Sequence, residues 1–456
     1  MKYLYLIVFI IFTGCNSSSN TFFDDNITSD ITDPLFYQQW SIEYNSTFYS
    51  QNDIDQDAHI HCQNSLNNFS GKGVRIAIID DGFDINHPEI RNNIIATIAI
   101  DDNGNISNDV SHSTSSSYHG TAVSGIIAAE HNTIGIRGIA SNAQLILIKM
   151  PQNFTDSIEI ELFKQAVKYG ADIISCSWGT NDVSDTVKDY IEDISSTARD
   201  GKGVIIVFAS GNDDTLMKND ESAIPTVLGV GATSRDNLRT SYSNYGKDLD
   251  LVAPGGYDVG IATIDPLGSY GISNDDYNRY DEYNNGKPVS FIGTSASAPI
   301  VSGTLALALE KKSTLTRSEI FELLKYSTDT IGENTPYIDD MISSKSQTPT
   351  ITGLLGSSGN SNIKIKLISQ SSSTVYGPYA LSYIDGNNHF TSNVTDTLPE
   401  GNYTIKIVDT DDTFVYATLE NFIIDTNGET KTNSSIRKSD FYGYGKINVD
   451  KLLSNF

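Results

Sequence analysis

A chain of 456 residues with 38% hydrophobic content and 35 glycines can bury a large core in two or three domains, which excludes a fibrous or disordered protein. Its formal charge of -27 opposes binding to nucleic-acid phosphates, which needs a basic face; carboxylates in excess favour calcium and cationic substrates instead. Three cysteines, Cys15, Cys62 and Cys176, are too few for a disulfide framework and lack the spacing of a zinc site.

Lys2 is followed by an apolar run from Tyr3 to Phe12, too short to span a bilayer but suited to the core of a signal peptide. The next residues, Phe12-Thr13-Gly14-Cys15, resemble a bacterial lipobox, which implies cleavage after Gly14 and acylation of Cys15. The alternative is an ordinary signal peptide with an incidental cysteine. Asn16 to Asn20 is polar and reads as a flexible tether. The expectation is a leader over residues 1–14, a tether over 15–32, and an extracytoplasmic protein held to a bacterial membrane by lipid.

A segmented α/β pattern runs from about residue 70 to 340. Val74 to Asp80 is a β-branched run between glycines and predicts a buried strand. Similar runs are Leu145 to Lys149, Ile173 to Ser177, Val204 to Ala209 and Val227 to Gly231. Helical patterns lie between them at Thr121 to Ala129, Ile158 to Tyr169 and Asp185 to Arg199. Strands alternating with helices predict a parallel sheet covered on both faces. Ser343 to Thr350 then reads as a polar linker, and the following residues, to about Asn427, as all-β. Ile363 to Leu367 and Tyr403 to Ile407 alternate strictly, with turns at Asp385-Gly386 and Glu400-Gly401-Asn402, which predicts a small β-sandwich. Val449 to Leu453 closes the chain as a short helix.

Four positions carry potential chemistry. Ser295 lies in Gly293-Thr294-Ser295-Ala296-Ser297-Ala298-Pro299, a loop opening a small-residue helix, so it is either a nucleophile at a helix N-terminus or a plain cap. His119 opens another small-residue helix and is either a base or a cap. Asp80 ends a buried strand, where open α/β sheets place their sites and where turn aspartates also occur. Asn212, after Ala209-Ser210-Gly211, could donate to an oxyanion or simply make the turn.

Taken together, Ile78-Ile79-Asp80-Asp81-Gly82, His119-Gly120-Thr121, Ala209-Ser210-Gly211-Asn212 and the Ser295 segment resemble the motifs of the subtilase family, in its order. The resemblance covers about residues 33–340 and 437–453. It implies a subtilisin-like seven-stranded parallel sheet sandwiched by helices, with the small all-β sandwich inserted. The implied layout is a catalytic domain over 33–342, an insert over 343–436, and the last catalytic segment and helix over 437–456. It also implies a serine endopeptidase acting on protein or peptide substrates. In it Asp80, His119 and Ser295 form the triad, Asn212 serves the oxyanion, and Ser177, Trp178 and Gly179 pair with extended substrate. Within the family the chain looks nearest the kexin and furin branch, through Asp33-Pro34-Leu35-Phe36, Asp80-Asp81-Gly82 and Ser175-Cys176-Ser177-Trp178-Gly179. That branch's P-domain is absent, and the interval from Cys15 to Asp33 leaves no room for a folding pro-domain, so a separate folding chaperone is a possible partner.

The resemblance further implies a structural calcium ion. Glu130 to Ile136 matches the family's calcium loop, with a side-chain oxygen from Asn132, carbonyls from Glu130, Ile134 and Ile136, and carboxylates from Asp33 and Glu89. Asp81 and Asp182 match acidic cleft positions of the kexin branch, with Glu159 a candidate third, which leads to an expected preference for a basic residue before the scissile bond. Ser116 and Ser117 stand where that branch is acidic, and the register of Lys218-Asn219-Asp220-Glu221 at the pocket base stays open. A second reading, of a different class, is an inactive shell that binds surface partners through its β-sandwich; the intact set Asp80, His119, Asn212 and Ser295 argues against it.

Overall fold

The computed structural model describes residues 2–3 and 33–456, apart from 269, 273–282, 285–286, 289–290, 333–335, 356–362, 382, 385–387, 410 and 412–414. Cys15, the leader apart from Lys2 and Tyr3, the tether and the Asp385-Gly386 turn lie outside the described residues.

The first sheet is built from β1 (Arg75–Asp80), β2 (Ile94–Ile100), β3 (Ile106–Ser107), β4 (Gln144–Lys149), β5 (Ile173–Cys176), β6 (Ile205–Ala209), β7 (Leu228–Thr233), β8 (Leu251–Pro254) and β9 (Thr328–Asp329). A further strand, Lys446–Ile447, joins it from the end of the chain. Among the described residues it has ten strands, in the order β9, Lys446–Ile447, β8, β7, β6, β5, β1, β4, β2, β3. The strands from Lys446–Ile447 to β2 run parallel to their neighbours, and only the outermost two, β9 and β3, are antiparallel. The sheet is therefore wider than the seven strands expected. Its rims are extended by two-residue strands too short to show in the hydrophobic pattern.

Alternation explains how both faces become buried. Side chains in a strand point to opposite faces in turn. Ile76 and Ile78 enter one core with the helices α1 (His119–Ala128) and α4 (Thr294–Lys311), while Ala77 and Ile79 enter the other with α2 (Asp156–Lys168) and α3 (Asp185–Thr197). The helix α4 is buried on every side from Ala296 to Leu309, as a helix without a polar face must be. Pro299 falls near its start, where little hydrogen bonding is lost. No helix among the described residues is long and apolar enough to cross a membrane.

After α5 (Arg317–Tyr326) and β9 the chain leaves for a second, nine-stranded sheet. It consists of β10 (Tyr337–Ser344), β11 (Thr350–Leu354), β12 (Ile363–Ser369), β13 (Val375–Ala380), a short strand Tyr383–Ile384, β14 (His389–Asn393), β15 (Gly401–Asp409), β16 (Val415–Ile424) and β17 (Lys431–Lys438). Its strands form one continuous hydrogen-bonded sheet. The long strand β10 pairs with β11 at Tyr337–Ile338 and with β16 at Ser343–Ser344, so it belongs to both halves. Ile338, Ile365, Leu367, Phe390, Tyr403, Ile405 and Phe422 fill a single core within it. The second sheet begins at Tyr337, ahead of the expected linker, and residues 345–349 are only the turn between β10 and β11.

The chain then returns. Lys446 pairs with Val252 and Asp329, and Ile447, Val449, Leu452 and Leu453 pack into the core beneath α4. The closing helix Val449–Ser454 is capped by Asn448, whose side chain accepts from the Lys451 N–H. Phe441 and Tyr442 lie with Met217, Leu249, Val252, Ile331 and Tyr337 in a cluster joining the two sheets.

Candidate active site

Asp80 is the last residue of β1 and His119 the first of α1, so strand and helix ends deliver a carboxylate and an imidazole to one point. The two are 1% and 9% exposed, and Asp80 Oδ1 lies 2.8 Å from His119 Nδ1. Burial alone would lower the pKa of His119. The charge and hydrogen bond of Asp80, helped by the charge of Asp81, outweigh burial and raise it above the ordinary value of 6.5. Gly120 is required here by contact, since a Cβ at that position would sit 2.3 Å from the Gly82 carbonyl oxygen. The His119 ring stands edge-on to Phe291, with centroids 5.3 Å apart.

Ser295 is the second residue of α4, just after Gly293, whose φ of 118° suits the missing side chain. The Thr294 N–H and hydroxyl both donate to Asn212 Oδ1, at 2.9 and 3.0 Å. A backbone N–H can only donate, so it fixes the amide with Oδ1 inward and leaves Nδ2 for the cavity. Ser295 Oγ donates to the Ser177 carbonyl at 3.1 Å, and Ser177 Oγ returns a bond to the Ser295 carbonyl at 3.0 Å. One cavity is lined by His119, Ser177, Trp178, Gly179, Asn212 and Ser295. The structure thus brings base and hydroxyl to the same cavity, with the hydroxyl turned toward Ser177.

The acidic residues fall differently from expectation. Asp182 is exposed, bonded to Asn219 at 3.4 Å, and does not line the cavity. Asp81 also lies off it, with Oδ1 accepting from the Gly120 N–H at 3.0 Å and lying 3.5 Å from His112 Nδ1. The acidic residues that line the cavity are Asp213, which is exposed, and the buried Asp220. Asp220 Oδ1 accepts from the Ser222 N–H (3.0 Å) and hydroxyl (2.6 Å), and its Oδ2 from the Asn181 N–H (3.1 Å). Gly179 leaves room for it, because a Cβ there would lie 2.5 Å from Asp220 Oδ2. Behind it Glu221 is fully buried and accepts from the Thr180 N–H and hydroxyl at 3.0 and 2.6 Å, with Glu159 beside it. Burial, with the charge of Glu221, pushes Asp220 up to about 7; burial, with the charge of Glu159, does the same for Glu221. Lys218 is exposed and outside the cavity. The turn of Asp220 with Ser222 is local, but the room for Asp220 on the cavity wall comes from Gly179 on a distant loop.

Tyr242 and Phe291 were not singled out from sequence. The Tyr242 hydroxyl accepts from the Gly293 N–H at 3.2 Å and donates to the Gly256 carbonyl at 2.6 Å, which steadies the turn before Ser295. Cys62 and Cys176 are buried free thiols, and burial pushes both well above the ordinary thiol value, away from reactivity.

The proposed calcium ligands converge on the loop after α1. Asp33 Oδ1 accepts from the N–H groups of Asn132 and Thr133 at 2.9 and 3.0 Å, and Oδ2 lies 2.5 Å from His131 Nδ1. Asn132 Oδ1 accepts from the Ile134 N–H, and the Glu89 carbonyl from the Glu130 N–H. Glu89 is fully buried and Ile136 lies in the core nearby. By lone-pair count Asp33 and Asn132 each keep an acceptor site, and the set is oxygen-only, so its chemistry fits calcium. No group of three His, Cys, Asp or Glu suited to a metal is found among the described residues, so carbonyl and amide oxygens would have to complete the shell.

The chain is 30% identical over 320 residues to the calcium-dependent protease of Nostoc sp., a match covering 65% of this chain and 47% of that protein. It is 28% identical to subtilisin NAT of Bacillus subtilis subsp. natto, covering 59% of this chain and 64% of that protein. The chain thus spans about half to two thirds of the length of these relatives. Among solved structures it resembles the Aeromonas sobria serine protease in complex with its chaperone, with a TM-score of 0.59 and 18% identity, covering 86% of this chain and 92% of that one. At that identity the likeness speaks for the fold. The parallel sheet, the placement of Asp80, His119 and Ser295, and these likenesses agree with a model of the subtilase family that matches residues 71–364, well over half of the chain, and the chain belongs to that family.

Proposed function

We propose that the chain is a serine endopeptidase. The observation that carries this reading is the 2.8 Å contact of Asp80 with His119 on a cavity shared with Ser295 and the Asn212 amide. An extended peptide lies along Ser177, Trp178 and Gly179 by backbone pairing. The Ser295 side chain rotates from the Ser177 carbonyl toward His119, a change between staggered positions. His119 Nε2 takes the Ser295 proton as Oγ attacks the scissile carbonyl, and Asp80 stabilises the imidazolium through Nδ1. Asn212 Nδ2 and the Ser295 N–H receive the oxyanion. His119 returns the proton to the leaving amine, and water then hydrolyses the acyl-enzyme by the same route. A fluorophosphonate probe tests this: mass added to Ser295, and none in Ser295→Ala, is expected. Folded wild-type protein that stays unlabelled would favour the inactive binding shell.

The finer features belong to the same reading. Asp220 on the cavity wall supports a basic residue before the scissile bond, in place of Asp81 and Asp182. Asp33, Glu89 and Asn132, with the carbonyls of Glu130, Ile134 and Ile136, would hold a calcium ion that ties the N-terminal segment to the loop after α1. The lipobox-like Cys15 makes the chain an extracytoplasmic lipoprotein of a bacterial membrane; loss of the protein from the membrane fraction in Cys15→Ala checks it. The Aeromonas sobria protease, crystallised with a chaperone, supports a separate folding partner.

A further inference from the structure

A second carboxylate–imidazole pair lies against the first and takes no part in the proton relay. Asp81 follows Asp80, and Gly120 follows His119. The Asp81 carboxylate accepts from the Gly120 N–H at 3.0 Å, so two consecutive residues at the strand end grip two consecutive residues at the helix start. Tyr118, which precedes the helix, contributes no side-chain cap, and Asp81 fills that place from outside the helix. His112 stands behind it. Its Nδ1 is 3.5 Å from Asp81 Oδ1, and its Nε2 is 2.7 Å from Thr121 Oγ1, whose oxygen accepts from the Asp84 N–H at 2.9 Å. The His112 and Asp81 side chains are only 5% and 14% exposed. Gly82 keeps the loop tight, since a Cβ there would come within 2.9 Å of His112 Cα.

We infer that Asp81 is a positioning residue for His119, capping the helix that carries it and adding a second negative charge to the imidazolium, and that His112 holds Asp81 in that pose. The catalytic use of the imidazolium rests on the peptidase reading; the electrostatic coupling does not. The charged groups facing His119 are Asp80 and Asp81, both from the end of β1. Ser295 faces it from α4 and the neutral Phe291 ring from its own segment. On the outer side, His112 contacts Asp81, Asp84 reaches Thr121 through its backbone, and Asp265 acts on Tyr118. Burial would raise the Asp81 carboxyl, but the His112 contact, the charge of His119 and the Gly120 N–H hold it below the ordinary value, so it is ionised at neutral pH.

The test is an NMR titration of His119 in the full chain carrying Ser295→Ala, with 13C in the histidine rings. Asp81→Asn keeps an oxygen for the Gly120 N–H and removes only the charge. The His119 midpoint should fall by about one pH unit. His112→Phe should lower it by less, and the double variant should go no lower than Asp81→Asn alone. An unchanged midpoint in folded Asp81→Asn overturns the charge role, and an additive double variant overturns the role of His112. Should Asp81→Asn fail to fold, an unchanged midpoint in His112→Phe overturns the coupling by itself. No turnover is needed, so failure of the fluorophosphonate test and failure of this one are separate results.

Discussion

Substituting Asp220 by asparagine separates a charged cavity wall from a merely polar one. The new amide's Oδ1 can keep both bonds from Ser222, while its Nδ2 would face the Asn181 N–H, donor against donor. A hydrogen bond to a charged group contributes about 1.5–3 kcal/mol, so losing one to a bound lysine or arginine should lower kcat/KM roughly 10- to 150-fold for basic substrates. Substrates with leucine at that position should change little. In the wild type the carboxyl is pushed up to about 7, so it is neutral below that pH and negative above it. The ratio of kcat/KM for paired fluorogenic peptides, lysine over leucine, should therefore rise between pH 6 and pH 8. In Asp220→Asn it should be lower and flat. A wild type that favours large apolar residues at both pH values, or a variant with the wild-type ratio, would refute the assignment.

Catalysis needs a neutral His119, and its pKa is raised, so the acid limb of kcat/KM should have its midpoint above pH 6.5. Unfolded Asp and Glu ionise near 3.8 and 4.5 while Asp220 and Glu221 hold protons to about 7. Stability should then fall as pH climbs through that window, and denaturant titrations of Glu221→Gln should show a shallower fall. Calcium at a hundred times its dissociation constant should add about 2.7 kcal/mol of stability, seen as a Tm rise that EGTA reverses and Asn132→Ala with Asp33→Ala abolishes. Gly120→Ala places a methyl 2.3 Å from the Gly82 carbonyl and should lower stability by about 1–3 kcal/mol on thermal melting, with a larger loss of activity as His119 is displaced.

The strand ending at Asp80 and the helix opening at His119 are legible from sequence because short range decides them. The run from Ile76 to Ile79 is apolar throughout, and its burial on both faces follows from that. The small residues after His119 and Ser295 announce helices that must pack closely. The two-residue strands Thr328–Asp329 and Lys446–Ile447 carry no such pattern, since their pairing is set by the whole sheet. Asp182 and Asp220 show the same limit within the cavity. Both follow loops of free register, and only the fold decides that one faces solvent while the other is walled in by Gly179. Asp81 is the subtler case. Its neighbour Asp80 bonds the His119 ring, while Asp81, one residue past the strand, grips Gly120 and meets a partner, His112, that no motif names.

Thr328–Asp329 and Lys446–Ile447 lie side by side and antiparallel at the rim of the first sheet. Everything between them departs and comes home through one narrow gate. For such a passenger the closure entropy is set by two neighbouring ends, and doubling its length adds only about 0.6 kcal/mol, provided Tyr337, Phe441 and Tyr442 still fit against Met217, Leu249 and Val252. The rim is a socket in which a bulky cargo can be traded, enlarged or dropped over generations, while the hydroxyl and imidazole at the helix starts and the carboxylate at the end of β1 keep their places.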